Sequence, residues 1–326
     1  MAETTQAQRV LRYWQERTGP VTSIDAIRQK QGDEVTAFVV MTRNGEQFVL
    51  KDIASSPNAQ RIETEYSLLR YLHAHDVPVA VPIPLDNGQL YAMDKDAIFV
   101  LYSKLPLDDS ILYMDINLVY ANIGAAVARL HKALATYPHQ VDSWTMNLPY
   151  TVFQECVPRI LSALPEQNAD MLRHLFVTLQ DEMSKALQDL PTQLIHGDCH
   201  GGNYLIYRGD VSGFVDFDHL PTGPRVYDIG YLLADMAKAR FFDNHTHARW
   251  SDSFHHIVAG YQQESSLSRH ELNSLWYVML ATQVLFVDWF FQHDRGDLAL
   301  KNLEAFHWIH QHGNHITSHL SRLDCG

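Results

Sequence analysis

Cysteine is scarce in this chain. Its 326 residues include three: Cys156, Cys199 and Cys325. They are far apart and odd in number, so neither a disulfide framework nor a zinc-ligand pattern can be written with them. That usage fits a reducing, cytoplasmic compartment. Positive charge is also short. Lys and Arg total 25 against 38 Asp and Glu, a formal net charge of −13. Nucleic acid and anionic membrane surfaces both need clustered cations, so neither is an expected partner. An acidic field suits a cationic small substrate. No run of about 20 apolar residues is evident, so no membrane span is expected. The opening stretch, residues 1–19, lacks a basic region followed by an apolar one and does not read as a signal peptide. There is no low-complexity linker and no internal repeat. What is present is an ordinary globular mixture, 46% hydrophobic and 19% charged, which excludes a disordered chain. The length allows two domains or one large one. Histidines 307, 310, 312 and 315 gather near the end, but no Cys or carboxylate completes a ligand set, so they read as a solvated helix face.

The pattern changes along the chain. Residues 5–17 read as a helix, with Val10, Leu11 and Trp14 at helical spacing. Strands are expected at 37–42 and 47–51, joined by Asn44-Gly45, a strong hairpin signal. A helix follows over 58–75, then Pro78, Pro82 and Pro84 enforce extended chain. Two further strands are expected at 89–93 and 97–102. Beyond residue 104 helical periodicity dominates, over 117–134, 151–163, 168–189, 227–239, 251–263, 269–292 and 297–318. Short β runs at 202–207 and 212–216 interrupt it. The layout is α+β: a small sheet-rich lobe with one helix, residues 1–103, then a larger helical lobe, residues 104–326. The join is short, so the two lobes are expected to lie close together, with a ligand cleft between them.

The informative segment is 194–230. It carries His196-Gly197-Asp198, then Asn203, then Asp216 and Asp218, then Tyr227-Asp228. Asp198 and Asn203 stand five residues apart, and Asp216 ends a strand. Phosphoryl transfer asks a protein to neutralise phosphate charge, aim a hydroxyl in line and exclude water. Hard oxygen ligands suit Mg²⁺, which takes one or two protein oxygens beside phosphate oxygens and water. Asn203 and Asp216 supply such oxygens, and Asp198 can accept a hydrogen bond from an acceptor hydroxyl. Each residue alone is common in a turn; their order and spacing together are not.

The runs HGDCHGGN, VDFDH and YDIG resemble the aminoglycoside phosphotransferase-like family, a branch of the protein-kinase-like bilobal fold. It includes aminoglycoside, choline, ethanolamine, homoserine and methylthioribose kinases and a bacterial stress-response Ser/Thr kinase. The resemblance covers most of the chain. It implies ATP and Mg²⁺, Asp198 as catalytic base, Asn203 and Asp216 as magnesium ligands, and His196 as a loop-ordering residue. Asp228 matches a structural acid that braces the catalytic loop. Asp218 is open to two roles, a second metal ligand or an acceptor around the first. His200 receives no role. In the N-terminal lobe Lys51 matches the lysine that meets the α/β-phosphates. Glu65 is its expected partner, ahead of Glu63, which lies on another helix face. Residues 99–104 sit where adenine is held, through backbone groups near Leu101 and Ser103. The chain departs from the pattern at the phosphate-covering loop, residues 30–35, where Gly32 is the one glycine and two acids follow it. The helix 124–131 matches one whose role is core packing.

The resemblance implies that substrate choice lies in the C-terminal helices. Asp288 beside Trp289 is one candidate pair; Phe241, Phe242 and Asp243 with Trp250 and Asp252 form another. Aromatic faces with carboxylates can hold an ammonium group. The expected activity is therefore ATP-dependent phosphorylation of a small-molecule hydroxyl, on an amino alcohol or hydroxylated amine of the homoserine, choline or aminoglycoside type. A protein Ser/Thr kinase of the stress-response type and a non-catalytic nucleotide-binding pseudokinase are the alternatives. The sequence carries no signal of oligomeric state.

Overall fold

The computed structural model describes residues 2–28, 35–53, 59–95, 97–108, 115–141, 143–217, 220–242 and 250–321. The chain divides into two compact units. One comprises residues 1–107 with 212–215; the other comprises 108–211 and 216–326.

In the first unit, α1 (Ala2–Leu11), a 3-10 turn (Arg12–Trp14) and α2 (Gln15–Thr18) precede a five-stranded antiparallel sheet. Its strands are β1 (Val21–Arg28), β2 (Val35–Thr42), β3 (Gln47–Asp52), β4 (Ala92–Asp94) and β5 (Ala97–Ser103), in the order β1-β2-β3-β5-β4. The expected hairpin lies between β2 and β3, and Gly45 supplies the positive φ of 85° that its turn needs. Strand parity then sorts the side chains. Phe38, Val40, Phe48, Leu50, Phe99 and Leu101 form one core with Ala7, Val10, Leu11 and Trp14. The opposite face packs Ile98 and Val100 on Ile62 of α3 (Ala59–Ala74). Trp14 is fully buried, and its indole N–H donates to the Ile83 carbonyl at 2.7 Å. Strand β1 is not marked by the residue pattern. Its register shifts at Val21/Ser23 and at Ile27/Arg28, and such bulges break the period-two signal. The excursion 212–215 joins this unit through the Phe214 N–H, which donates to Pro78 O at 2.8 Å.

The second unit is mostly helical: α4 (Ile116–Ala135), α5 (Leu148–Tyr150), a π-helical stretch (Thr151–Cys156), α6 (Val157–Ala163), α7 (Glu166–Leu187), α8 (Val226–Phe242), α9 (Trp250–Glu264), α10 (Arg269–Gln292), α11 (Gly296–Gln311) and α12 (Gly313–Ser321). Helices α4 and α9 approach at glycines on both sides. A Cβ on Gly124 would sit 1.9 Å from the Ile257 carbonyl oxygen, and one on Gly260 would sit 2.0 Å from that of Ala121. Helix α10 opens with a full capping box between Ser268 and Glu271. By length and composition α10 is long and apolar enough to cross a membrane, as the core helix of a folded domain can be. It packs against α7, α8 and α11, and 61% of its apolar window is buried in protein.

Two corrections concern the C-terminus. The single helix expected over 297–318 breaks at His312 into α11 and α12. The histidine face is not simply solvated: His310 stacks on Trp276 with ring centroids 6.0 Å apart, and burial holds both His307 and His310 below the ordinary imidazole range. Short strands β6 (Thr192–Leu194) and β9 (Thr222–Pro224) pair antiparallel, and β7 (Tyr204–Tyr207) pairs with β8 (Asp210–Phe214). The β6–β7 connection carries the candidate site.

Candidate active site

The loop from Ile195 to Asn203 is held by one face of α8. Asp228, Tyr231 and Asp235 fall at i, i+3 and i+7, which is a single helical stripe. Asp228 is fully buried. Its Oδ2 accepts from the His196 N–H and its Oδ1 from the Gly197 N–H, both at 2.8 Å. His131 of α4, also buried, donates from Nε2 to Asp228 Oδ2 at 2.9 Å, and the Tyr261 hydroxyl lies 2.9 Å from His131 Nδ1. The buried charge is thus met by three donors, which a lone carboxylate in a protein interior requires. At the far end of the loop the Gly201 N–H donates to Asp235 Oδ2 at 3.1 Å. Gly197 takes φ +79°, a value that suits glycine at this turn.

Asp198 stands at the loop's apex with its side chain 51% exposed. Tyr231 donates to its Oδ1 at 2.7 Å. Asn203 Nδ2 donates to its Oδ2 at 2.7 Å and to its backbone carbonyl at 2.8 Å. The Asp198 N–H in turn meets His196 Nδ1 at 3.3 Å, so His196 orders the loop from inside. Burial pushes the Asp198 carboxyl up, but His200, Tyr231 and Asn203 outweigh it and hold the group below the usual carboxylate range. His200 Nε2 lies 3.6 Å from Asp198 Oδ2, just beyond hydrogen-bond length. That carboxylate draws the His200 pKa upward, against burial. The Gly202 N–H, donating to His200 Nδ1 at 2.9 Å, opposes a second ring proton. A neutral ring protonated at Nε2 satisfies both neighbours.

Asn203 is buried, and its nitrogen is committed to Asp198. Its amide oxygen is therefore the atom left to face a cation. Asp216 adopts φ +63° where the chain leaves β8, a conformation that Asp tolerates better than most residues. An amide oxygen and a carboxylate are the hard donors Mg²⁺ prefers, and an ion sharing phosphate oxygens needs no larger protein ligand set. Among the described residues there is no cluster of three or more His, Cys, Asp or Glu that would form an all-protein site. Asp218 lies outside the described residues.

Asp198 and Asp216 line one cavity of about 510 Å³ within the second unit, together with Gly197, His200, Tyr227, Tyr231, Thr282, Leu285, Phe286, Trp144 and Trp289. Trp289, one of the two residues singled out for substrate, is there and half exposed. Asp288 is not among the lining residues. It is buried and clamped by Arg159, whose Nε and Nη2 donate to its two oxygens at 2.9 and 2.7 Å, with Gln292 on Oδ2 at 2.6 Å. Adjacent helical residues diverge by about 100°, so the two cannot share a target. Of the second aromatic cluster, Asp243 and the side chains of Phe241, Phe242, Trp250 and Asp252 lie outside the described residues.

In the first unit Lys51 pairs across the sheet with Val100. Directly opposed residues share a face, and Val100 packs on α3, so Lys51 emerges on the side that carries Glu65. Tyr102, on that same face, donates to Glu65 Oε1 at 3.4 Å. The Leu101 side chain is in the core, and its carbonyl accepts the Ile83 N–H at 2.7 Å. Ser103, at the end of β5, is exposed. The stretch around Gly32 lies outside the described residues.

Comparison with known proteins adds a decisive match. Residues 27–263 fit the phosphotransferase enzyme family, APH. The chain belongs to this family. A homoserine kinase of Neisseria meningitidis serogroup B is 28% identical to this family member over 204 residues, 63% of each chain, so the match spans under two thirds of that relative's length. Stress response kinase A of Shigella flexneri is 24% identical over 295 residues, covering 87% of this chain and 78% of the relative. Among solved structures, an aminoglycoside phosphotransferase from Alicyclobacillus acidocaldarius superposes with a TM-score of 0.74 at 12% identity, over 98% of this chain and 96% of that one. An amicoumacin kinase, solved with AMP-PNP, Ca²⁺ and its ligand, gives 0.66 at 18% identity, over 95% and 99%. These likenesses show the fold, the α+β kinase-like fold of the APH enzymes.

Four residues of this phosphotransferase escaped the sequence reading. His131 was placed in a packing helix, and Tyr261 drew no attention. Tyr231 and Asp235 repeat the spacing of Asp228, a signal that becomes readable once Asp228 is known to face the loop.

Proposed function

We propose that this APH-family chain is an ATP- and Mg²⁺-dependent kinase that moves the γ-phosphoryl group to a hydroxyl of a small molecule, an amino alcohol or hydroxylated amine. The observation that carries the reading is the Asp198 carboxylate, gripped by Tyr231 and Asn203 and lining one cavity with Asp216. Asp198 aims the acceptor hydroxyl and takes its proton. A low carboxylate pKa suits a loose transition state, in which aiming matters more than early proton removal. Asn203 and Asp216 would hold Mg²⁺, which supplies charge neutralisation to the phosphates. Lys51 is the proposed cation for the α/β-phosphates with Glu65 as its proposed partner, and the backbone about Leu101 and Ser103 the proposed partner of adenine.

An amine acceptor is supported by the net charge of −13 and by the aromatic walls around Asp198 and Asp216. Phe286, one of those walls, already carries the Lys238 ammonium 5.0 Å from its ring centre, an internal instance of the cation–π contact proposed. Asp288 takes no part, because Arg159 neutralises it. A cytoplasmic site of action is proposed, in keeping with the free, buried Cys156 and Cys199. The test is ATP turnover with amino alcohols, homoserine, aminoglycosides and neutral sugars. Preference for amines supports the acceptor class; equal phosphorylation of neutral sugars contradicts it.

One observation favours a second reading, a protein Ser/Thr kinase. The match to stress response kinase A covers more of the chain than the match to homoserine kinase. Labelled phosphate transfer to a generic protein substrate, with none to the small-molecule panel, would select it.

A further inference from the structure

The fold treats the two oxygens of Asp198 differently. Oδ2 accepts from Asn203 and faces His200, whereas Oδ1 accepts from the Tyr231 hydroxyl at 2.7 Å. Tyr231 is only 4% exposed, yet it lines the cavity. Its ring is packed edge-on against Phe286, at 5.3 Å between centroids, and against Tyr227, at 6.0 Å. Two aromatic neighbours leave the ring little freedom, so the hydroxyl is fixed in space. The residue stands three positions after Asp228 on α8. One helix stripe therefore sets both the backbone of the loop and the rotation of the carboxylate at its apex.

We propose that Tyr231 is a positioning residue for phosphoryl transfer: its hydrogen bond locks the Asp198 carboxylate about Cβ–Cγ and turns the open lone pair of Oδ1 toward the acceptor hydroxyl. The inference rests on the reading of Asp198 as the group that receives the acceptor's proton. In the step, the acceptor oxygen bonds to the γ-phosphorus as the bond from that phosphorus to the β,γ-bridging oxygen breaks. ADP departs with the electron pair, and the acceptor's proton passes to Asp198 Oδ1. Tyr231 keeps its own proton throughout. Without the hydroxyl, the carboxylate retains tethers only on Oδ2, and the acceptor meets a less ordered partner.

Tyr231→Phe tests this with Mg-ATP and the best acceptor from the panel. The kcat is expected to fall about 10- to 100-fold. The KM for ATP and for acceptor should each stay within about threefold, since removing an interaction that acts in the transition state spares ground-state binding. Tyr277→Phe is the control. Tyr277 lies on α10, hydrogen-bonded to Glu182 outside the cavity, and its kcat should match wild type. A thermal unfolding midpoint checks that each variant is folded; if the Phe variant is not, Tyr231→Met repeats the test. An unchanged kcat, or a loss confined to the acceptor KM, overturns the role of Tyr231 while leaving Asp198 standing, provided Asp198→Asn is inactive. Wild-type turnover by Asp198→Asn would instead overturn the underlying reading and this inference with it.

Discussion

His131 donates a 2.9 Å hydrogen bond to Asp228, and both side chains are shielded from water, at 1% and 0% exposure. Asp228 in turn holds the two backbone N–H groups that start the loop. Packing in α4 thus reaches the loop that carries Asp198 through one buried carboxylate. His131→Leu leaves that charge short of a donor, and a loss of about 3 kcal/mol in stability is expected. Urea unfolding at pH 7 measures it. A variant as stable as wild type would show that the contact does no more than fill space.

Asp288 and Trp289 separate cleanly by mutation. Trp289→Ala should raise the acceptor KM about tenfold, the value of one aromatic contact with a cation. Asp288→Asn should leave the acceptor KM within about threefold and lower stability by about 1 kcal/mol, because Arg159 is half exposed and solvent screens its lost partner. Steady-state kinetics and thermal melts check both.

Acid stability has a defined contributor. Arg225 donates from Nε to Glu271 Oε1 at 2.6 Å and from Nη2 to Oε2 at 3.0 Å, and the Ser268 N–H donates to Oε2 at 2.8 Å. Burial pushes the Glu271 carboxyl up, but these donors outweigh it and hold the pKa below its ordinary value. The folded value is thus lower than the unfolded one, about 4.3. The stabilisation is fully present above that pH and is lost as the pH falls through the folded pKa. Unfolding free energies measured from pH 6 to 3 should decline, and Glu271→Gln should flatten that decline.

The Cys156 thiol is pushed up to about 12, by burial first and then by the neighbouring Asp288. A thiol so protonated is a poor nucleophile. Alkylation with iodoacetamide at pH 8, followed by peptide mapping, should leave Cys156 unmodified in the folded protein and label it in urea.

Much of the scaffold was readable from residues. Asn44-Gly45 marked its hairpin because a tight turn needs positive φ. The misses have physical causes. Strand β1 hides behind two bulges. His131 is polar in an apolar helix, and only tertiary contact shows that it meets Asp228 rather than solvent. Asp288 was paired with Trp289 by adjacency, where helix geometry turns them apart.

The central claim is that Asp198 receives the acceptor's proton in a cavity it shares with Asp216. Its most direct test is Asp198→Asn, assayed for phosphate transfer to the best panel acceptor beside AMP-PNP binding by Mg²⁺-dependent thermal shift. Transfer should fall by at least about 100-fold, with the nucleotide-induced shift kept. Turnover at the wild-type rate, with the same shift, would contradict the account.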